Sequence, residues 1–166
     1  MKTKLKEAYM KTAETFAELS HARRLHVGAI IVKDDRIISI GYNGMPAGWD
    51  NNCEDAEYVG NDEQIPSPDV MKKMGFTGTD KGWFKLRTKP EVLHAETNAI
   101  AKLAKSTESG AMATMFITHS PCLDCAKLIY QSGITSVFYR NDYRSDDGIK
   151  FLRASGITVE QLEQDK

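Results

Sequence analysis

The chain has few cysteines and no excess of charge of either sign. Its three cysteines are an odd number, which does not fit the paired disulfides of a small secreted scaffold. Lys plus Arg number 22 and Asp plus Glu number 23, so the net charge of −1 provides no general attraction to nucleic acid. No apolar run reaches the roughly 18 residues of a membrane span, and the charged first residues lack an apolar core. We therefore expect a cytoplasmic protein with no signal peptide, no membrane association and no nucleic acid polymer as partner.

The length and composition favour a single folded domain. With 166 residues, 41% of them apolar and 27% charged, the chain is neither fibrous nor disordered. We therefore expect residues 1–166 to form one domain. The regular pattern weakens between residues 49 and 90, where glycine, proline and polar residues are frequent. This stretch predicts a long irregular segment with one short helix at residues 68–74, and we expect a variable insert at about 55–90.

Helices and strands alternate in the rest of the chain. Apolar spacing predicts a helix at residues 4–19, followed by a hairpin of two strands at 27–32 and 36–41. Further on, three helices alternate with three strands, at residues 96–104, 113–118, 123–131, 134–139, 146–154 and 157–162, the last being an edge strand. This order indicates an α/β sandwich with parallel strand pairs in its sheet.

Three possible metal ligands lie where predicted helices begin. His94 precedes one of these helices, while Cys122 and Cys125 follow Pro121 at the start of the next. One nitrogen and two sulfurs suit zinc, and three protein ligands leave a fourth tetrahedral position for water. The N-terminus of a helix also favours the thiolate form of cysteine. This arrangement predicts one catalytic Zn²⁺ per chain.

Glu96 lies two residues after His94, where a carboxylate can take a proton from water and deliver it to a leaving group. The Cys-x-x-Cys pair alone also fits a redox pair or a structural zinc site. A redox pair leaves His94 and Glu96 without a role, and a structural site lacks a fourth protein ligand nearby. Zinc deaminases combine His-x-Glu with Pro-Cys-x-x-Cys, in this order.

On these residues the sequence resembles the cytidine and deoxycytidylate deaminase superfamily, and more narrowly the bacterial and phage type of deoxycytidylate (dCMP) deaminase. The resemblance covers residues 24–31, 41–48, 94–100, 118–125 and 131–134. It implies a three-layer α/β/α sandwich around a mixed sheet of about five strands. It also implies hydrolytic deamination of dCMP to dUMP and ammonia, which supplies thymidylate synthesis, with Glu96 moving the protons.

The resemblance further implies that Asn43 and Tyr143 contact the nucleotide. A nucleotide monophosphate needs a cation nearby and arginine binds phosphate through two hydrogen bonds, which makes Arg24 a candidate contact of the phosphate. An arginine at a helix end also commonly caps carbonyl groups or lies in solvent, and an asparagine in a turn commonly shapes that turn. The expected substrate-binding residues are Asn43, Tyr143, Arg24, Ala95, Ser120 and Pro121.

Members of this branch are usually hexamers that are activated by dCTP with Mg²⁺ and inhibited by dTTP. We therefore expect a homo-oligomer, as a hexamer, located in the host cytoplasm if a phage encodes it. Glycines permit a close approach of the backbone to phosphates, so the expected effector site consists of Gly41, Asn43, Gly44 and Gly48. Cys53 matches a ligand of a second, structural zinc found in some relatives. Ala22 stands where a cysteine partner would be, so we expect no second zinc.

Two other functions fit parts of the pattern. The first is a deaminase of another cytosine or adenine substrate, such as a nucleoside, dCTP, tRNA or single-stranded DNA. A polynucleotide substrate requires a basic surface, which the near-neutral charge does not favour. The second is a zinc-stabilised binding module, which leaves Glu96 without a role. Whether dCTP is a substrate as well as an effector stays open at this point.

Overall fold

Helices and strands alternate along the chain in a computed structural model, which describes residues 1–59 and 65–163. Within these residues, no helix is long and apolar enough to cross a lipid bilayer. The elements in chain order are α1 (Thr3–Ala17), β1 (Gly28–Lys33), β2 (Arg36–Tyr42), β3 (Glu54–Val59), α2 (Pro68–Lys73), β4 (Thr77–Thr79), β5 (Gly82–Thr88), α3 (Ala95–Leu103), β6 (Thr114–His119), α4 (Leu123–Gln131), β7 (Ser136–Asn141), α5 (Asp147–Ala154) and β8 (Thr158–Gln161).

Five strands form a mixed central sheet in the order β2-β1-β6-β7-β8. The hairpin partners β1 and β2 are antiparallel, and β1 is also antiparallel to β6. The pairs β6–β7 and β7–β8 are parallel, because a helix returns the chain to the same end of the sheet each time. The predicted hairpin, parallel pairs and edge strand are therefore confirmed.

Helices cover both faces of this sheet, which makes three layers. On one face α1 packs Met10 and Ala13 into a cluster with Ile30 of β1. On the other face α3, α4 and α5 enclose a second cluster that includes Ile31. Ile30 and Ile31 face opposite layers because successive side chains of a strand alternate. With both faces buried, the strand is apolar throughout rather than at every second position.

The predicted boundaries of the regular elements differ little from those of the structure. The helix predicted at residues 123–131 coincides with α4, and the neighbouring elements are displaced by one or two residues. The short helix predicted at residues 68–74 corresponds to α2. The expected five-stranded α/β/α sandwich is confirmed.

The prediction of an irregular segment at residues 49–90 was wrong in part, because three strands lie within it. Strands β3, β5 and β4 form a separate three-stranded antiparallel sheet, in that order. Most residues of β3 and all of β4 are exposed, so neither strand shows the apolar alternation of a half-buried strand. Residues 60–64, which belong to the expected insert, lie outside the described residues.

Candidate metal centre and substrate cavity

The N-termini of α3 and α4 meet at the carboxyl end of β6. His94 lies immediately before α3, Cys122 immediately before α4, and Cys125 in the first turn of α4. The chain passes from the carboxyl end of β6 into α4. Helix α3 begins at the same end of β6 and returns the chain to the start of that strand. Side chains that are 28 and 31 residues apart in the sequence are thereby brought together.

The ligand atoms of these three residues have the spacing of a zinc site. Nδ1 of His94 lies 3.3 Å from Sγ of Cys125 and 3.6 Å from Sγ of Cys122. A tetrahedral ion with Zn–N of about 2.0 Å and Zn–S of about 2.3 Å holds nitrogen and sulfur roughly 3.5 Å apart. Within the described parts of the chain, this is the one group of three or more His, Cys, Asp or Glu residues with such spacing. The residues therefore fit Zn²⁺ in both chemistry and geometry.

The two thiols interact strongly with each other. Hydrogen bonds from Cys125 and His94 lower the pKa of the Cys122 thiol to about 4. The neighbouring Cys122 and burial raise the pKa of Cys125, so the thiol proton resides on the buried partner. The hydrogen bond with Cys122 raises the pKa of His94. The pair thus places a negative sulfur beside the imidazole, which suits a divalent cation.

Glu96 is buried in the first turn of α3, with only 4% of its surface exposed. Burial raises the pKa of its carboxyl group to about 7. A carboxyl group whose pKa lies near neutrality can both accept and donate a proton at the pH of a cell. The buried carboxyl therefore has the properties that a general acid–base residue needs.

Strand β2 fixes the position of α3. A Cβ atom on Gly41 would lie 2.1 Å from the carbonyl oxygen of Ala95, so only glycine permits this approach of strand and helix. The Oγ of Ser39 donates a hydrogen bond to the Ala99 carbonyl oxygen at 2.7 Å. The Nδ2 of Asn98 donates to the Tyr42 carbonyl oxygen at 2.9 Å. Gly41, expected at an effector site, is therefore buried against the helix that carries Glu96.

A cavity of about 540 Å³ opens over the metal centre, within the usual range of roughly 300–1,000 Å³ for small-molecule sites. Its wall includes His94, Glu96 and Cys122. Most of the substrate-binding residues expected from the sequence also line it, namely Arg24, Asn43, Ala95, Ser120 and Tyr143. Pro121, Gly41, Gly44 and Gly48 lie outside the lining.

Asn43 is held by the segment that precedes β1. Its Oδ1 accepts a hydrogen bond from the Val27 N–H at 2.8 Å, and its Nδ2 donates to the Leu25 carbonyl oxygen at 2.8 Å. One N–H and one lone pair of the amide stay free of these two bonds. Asn43 therefore shapes the turn, as is common for an asparagine in this position. Its contact with substrate, the other interpretation, stays a prediction.

Tyr143 is anchored to the segment that carries the cysteines. The Oγ of Ser120 accepts a hydrogen bond from the Tyr143 N–H at 2.8 Å, and the Ser120 N–H donates to the Asn141 carbonyl oxygen at 2.8 Å. These bonds hold the chain after β7 beside the start of α4. Both residues therefore lie at the carboxyl ends of neighbouring parallel strands, where α/β proteins commonly bind ligands.

Four cationic side chains line the cavity. Arg87 lies 3.3 Å from Glu57, and Lys89 lies 3.6 Å from Asp55. Arg24 and Arg144 have no carboxylate within 4.0 Å among the described residues. The cavity wall therefore contains two of the metal ligands, His94 and Cys122, together with cations that suit an anionic group of a substrate.

Arg87, Lys89 and Arg144 were not predicted from the sequence as residues of the site. Arg87 and Lys89 belong to the segment whose strands it missed, and Arg144 follows Tyr143 in an irregular segment. The alternation of basic residues at positions 85, 87 and 89 is the one signal that could have indicated a basic strand there.

Residues 3–141 match the family model described as the cytidine and deoxycytidylate deaminase zinc-binding region. The deoxycytidylate deaminase of Enterobacteria phage T4 is 39% identical over 151 residues, which cover 80% of this chain and 77% of that protein. The ComE operon protein 2 of Bacillus subtilis (strain 168) is 33% identical over 159 residues, covering 95% of this chain and 71% of that protein.

The fold is also similar to a solved structure. The crystal structure of dCMP deaminase from the cyanophage S-TIM5 in complex with dCMP and dUMP superposes with a TM-score of 0.77 and 43% sequence identity. The match covers 98% of this chain and 99% of that one.

Proposed function

This chain belongs to the cytidine and deoxycytidylate deaminase family, and we propose that it hydrolyses dCMP to dUMP and ammonia. One observation carries the proposal: His94 and Cys122, which form a metal-ligand group with Cys125, line one cavity together with the buried Glu96 and cationic side chains. The dCMP and dUMP bound by the cyanophage relative support a deoxycytidine monophosphate as the substrate. The product dUMP then supplies thymidylate synthesis.

Hydrolysis replaces the amino group on C4 of cytosine by the oxygen of water, and the C4–N4 bond breaks. Zinc bound by this site supplies a Lewis acid that lowers the pKa of water to about 7. Glu96 takes one proton of the attacking water and delivers it to ring N3. It then carries the second proton, from the hydroxyl group now on C4, to N4, which leaves as ammonia. Burial of its carboxyl group keeps the pKa close to the value that both directions of transfer need.

The start of α3 orients the base. Ala95 is the first residue of this helix, so its backbone N–H has no carbonyl partner within the helix. Ala95 lines the cavity beside Glu96, and in the proposed complex its N–H donates to the O2 atom of the cytosine ring. Asn43 and Tyr143 line the same cavity. The free N–H and lone pair of the Asn43 amide and the ring of Tyr143 contact the sugar and base.

Arg24 and Arg144 bind the 5′-phosphate. Each guanidinium can donate two parallel hydrogen bonds to phosphate oxygens. The absence of a carboxylate within 4.0 Å, among the described residues, leaves both cations available for an anion. This pair accounts for a preference for the nucleotide over the nucleoside.

Ammonia release from dCMP, deoxycytidine, dCTP and a short deoxycytidine oligonucleotide tests this function. The expected order places dCMP first, with deoxycytidine slower because it lacks the phosphate. Equal or faster release from the oligonucleotide or the nucleoside would contradict the assignment of dCMP. The dCTP arm also decides whether the triphosphate is a substrate.

Regulation and assembly form a finer part of the proposal. The chain forms a homo-oligomer, a hexamer, in the cytoplasm, and dCTP with Mg²⁺ activates it while dTTP inhibits it. The effector contacts the turn that contains Asn43, Gly44 and Gly48. Two features of this turn support the proposal: space is open around a Cβ atom on Gly44, and Gly48 has a φ of +85° that favours glycine. Gly41 supports the turn through its packing against α3.

A further inference from the structure

Arg24 lies on a segment without regular secondary structure. It belongs to the connection between α1 and β1, and its side chain is exposed at the cavity. A long side chain on such a segment loses much conformational entropy when it binds a ligand, unless other contacts already hold it. The contacts that hold Arg24 therefore bear on how strongly it binds an anion.

The small sheet holds the backbone at Arg24 through a buried carboxylate. Glu54, the first residue of β3, has only 1% of its surface exposed. Its Oε1 accepts hydrogen bonds from the backbone N–H groups of Arg23 at 2.9 Å and Arg24 at 3.2 Å. Its Oε2 lies 3.4 Å from Nε of Arg23. The charge of Glu54 is thus compensated by Arg23, and among the described residues the guanidinium of Arg24 has no carboxylate within 4.0 Å.

The same sheet holds the side chain of Arg24. Nη1 of Arg24 donates a hydrogen bond of 2.9 Å to Oγ1 of Thr88, the last residue of β5. Glu54 and Thr88 are directly opposite each other in the β3–β5 ladder. One cross-strand pair therefore fixes both the backbone and the guanidinium of Arg24.

We infer that the Glu54–Thr88 pair positions Arg24 for the 5′-phosphate, so that the small sheet sets the preference for a nucleoside monophosphate over a nucleoside. This inference rests on the proposed function. Thr88 uses one of the five N–H donors of the guanidinium, and the remaining donors can still form a bidentate pair with phosphate. Thr88 and Glu54 act through Arg24 and are positioning residues.

Replacement of Thr88 by valine tests the inference. Valine keeps the shape, removes the hydroxyl acceptor and is favoured in strands, so the sheet is retained. Calorimetric binding of dUMP and of deoxyuridine, the product with and without its phosphate, measures the preference without turnover. Thr88→Val should weaken dUMP binding roughly 3–10-fold, as expected for one lost hydrogen bond, and leave deoxyuridine binding unchanged. The KM for dCMP should rise similarly, with kcat unchanged.

Two further variants serve as controls. Thr88→Ser keeps the hydroxyl and should bind dUMP as the native protein does. Thr77→Val makes the same chemical change on the exposed outer strand of the same sheet and should have no effect. Circular dichroism of each variant checks that the fold is retained.

A double-mutant cycle separates positioning from general structure. In an Arg24→Gln background, Thr88→Val should cause no additional loss of dUMP binding, because the residue it positions is gone. Equal additional loss in both backgrounds, or equal weakening of dUMP and deoxyuridine, would show that Thr88 does not act through Arg24 and would overturn the inference.

The failure of the proposed function is distinguishable from the failure of this inference. If native protein binds dUMP no more tightly than deoxyuridine, the phosphate preference is absent and both fail. If native protein prefers dUMP and Thr88→Val prefers it to the same extent, the inference alone fails and the proposed function stands.

Discussion

Gly148 lies so close to Pro121 that a Cβ atom on the glycine would come within 2.0 Å of the proline carbonyl oxygen. The same atom would lie 2.9 Å from the carbonyl oxygen of Cys122. The first turn of α5 therefore packs directly on the backbone that leads into α4 and its two cysteines. Both neighbouring atoms are backbone atoms, so no side-chain rotation can make room for a larger residue.

Gly148→Ala should weaken zinc binding. The added methyl group displaces the backbone at Cys122, and changes just outside the ligands of a metal typically cost roughly 10–100-fold in affinity. Competition with a chromogenic chelator measures the effect.

Gly156→Ala is the matched control at the other end of α5, where space is open but φ is +80°. It should lose about 1–2 kcal/mol of stability from the left-handed backbone and keep the native zinc affinity. Equal zinc affinity in the two variants would contradict the role of the Gly148 contact.

Elemental analysis should find one zinc ion per chain. Cys122→Ala and Cys125→Ala should each abolish this zinc, because two protein ligands are too few for a tightly held ion. Cys53 is also buried, but its Sγ lies 3.5 Å from the carbonyl oxygen of Asn51 and outside the metal-ligand group. Cys53→Ala should therefore retain one zinc. A content of two ions per chain, halved by Cys53→Ala, would show that the expectation of no second zinc is wrong.

Glu96→Gln should retain zinc and lose turnover. The amide has the size of the carboxyl group but cannot move a proton, and general acid–base catalysis contributes about 10²–10⁴-fold. We expect the upper end of this range because Glu96 serves several proton transfers. Initial rates of ammonia release on zinc-loaded protein measure the loss. Glu18→Gln, at the exposed end of α1, makes the same change away from the cavity and should leave the rate unaltered. Near-native turnover of Glu96→Gln would contradict the mechanism.

The metal centre could be predicted from the sequence because its parts are local. His94 and Glu96 share the start of one helix, and Cys122 and Cys125 share the start of another. Helix starts and apolar strands have strong sequence signals. One zinc ion held by all three ligands requires the two helix starts to meet, and the structure brings them together.

The surroundings of Arg24 could not be predicted in the same way. Its contacts with Glu54 and Thr88 join residues 30 and 64 positions apart. Most residues of β3 are exposed, and β5 is half-buried at successive positions rather than at every second one, so periodicity does not reveal either strand. Glu54 is moreover a buried acid in a strand, which runs against the usual preference for β-branched and aromatic residues. Tertiary hydrogen bonds rather than local propensity define this part of the structure.

Arg140→Met should destabilise the fold. The arginine side chain is only 2% exposed and pairs with Glu7 at 2.6 Å and Glu14 at 2.9 Å, which joins β7 to α1. Its Nη1 also donates to the carbonyl oxygens of Leu162 and Glu163, beyond β8. Its removal leaves Glu14 without a cation within 4.0 Å among the described residues and leaves Glu7 only the exposed Lys11, at 4.0 Å. The partial exposure of the two carboxylates places the loss at about 2–3 kcal/mol, near the low end for broken buried pairs.

Urea unfolding measures this loss as a lower midpoint concentration of urea, with an unchanged dependence of the unfolding free energy on urea. Arg36→Met is the control, because Arg36 forms an exposed pair with Glu108 at 3.4 Å. Such surface pairs contribute about 0–1 kcal/mol. Destabilisation of the two variants by the same amount would show that the Arg140 network adds nothing beyond a surface pair.

Gly41 and Gly44 belong to the same proposed effector turn but have different surroundings. A Cβ atom on Gly41 would meet backbone atoms of Ala95 at 2.1 Å and Ala99 at 2.6 Å. A Cβ atom on Gly44 would have no heavy atom within 4 Å in the described structure. Gly44 is also held by a pair of backbone hydrogen bonds with Leu93, next to the zinc ligand His94. Leu93 alone therefore separates a ligand bound at Gly44 from His94.

Gly44→Ala should reduce the response to effectors and leave the fold intact. In native protein the rate should depend sigmoidally on dCMP alone, approach a hyperbola with dCTP and Mg²⁺, and return to the sigmoid with dTTP. A coupling of about 1–3 kcal/mol between the sites shifts dCMP affinity roughly 5–150-fold. The added methyl group of Gly44→Ala occupies open space, so it should decrease this shift while the zinc content stays native.

Gly41→Ala should instead lower activity with or without effectors, because its methyl group displaces the helix that carries Glu96. Steady-state rates across dCMP concentrations, with and without each triphosphate, distinguish the two variants. A hyperbolic native curve that neither triphosphate changes would refute the regulation and leave the zinc chemistry untouched, since no step of the deamination depends on the effector.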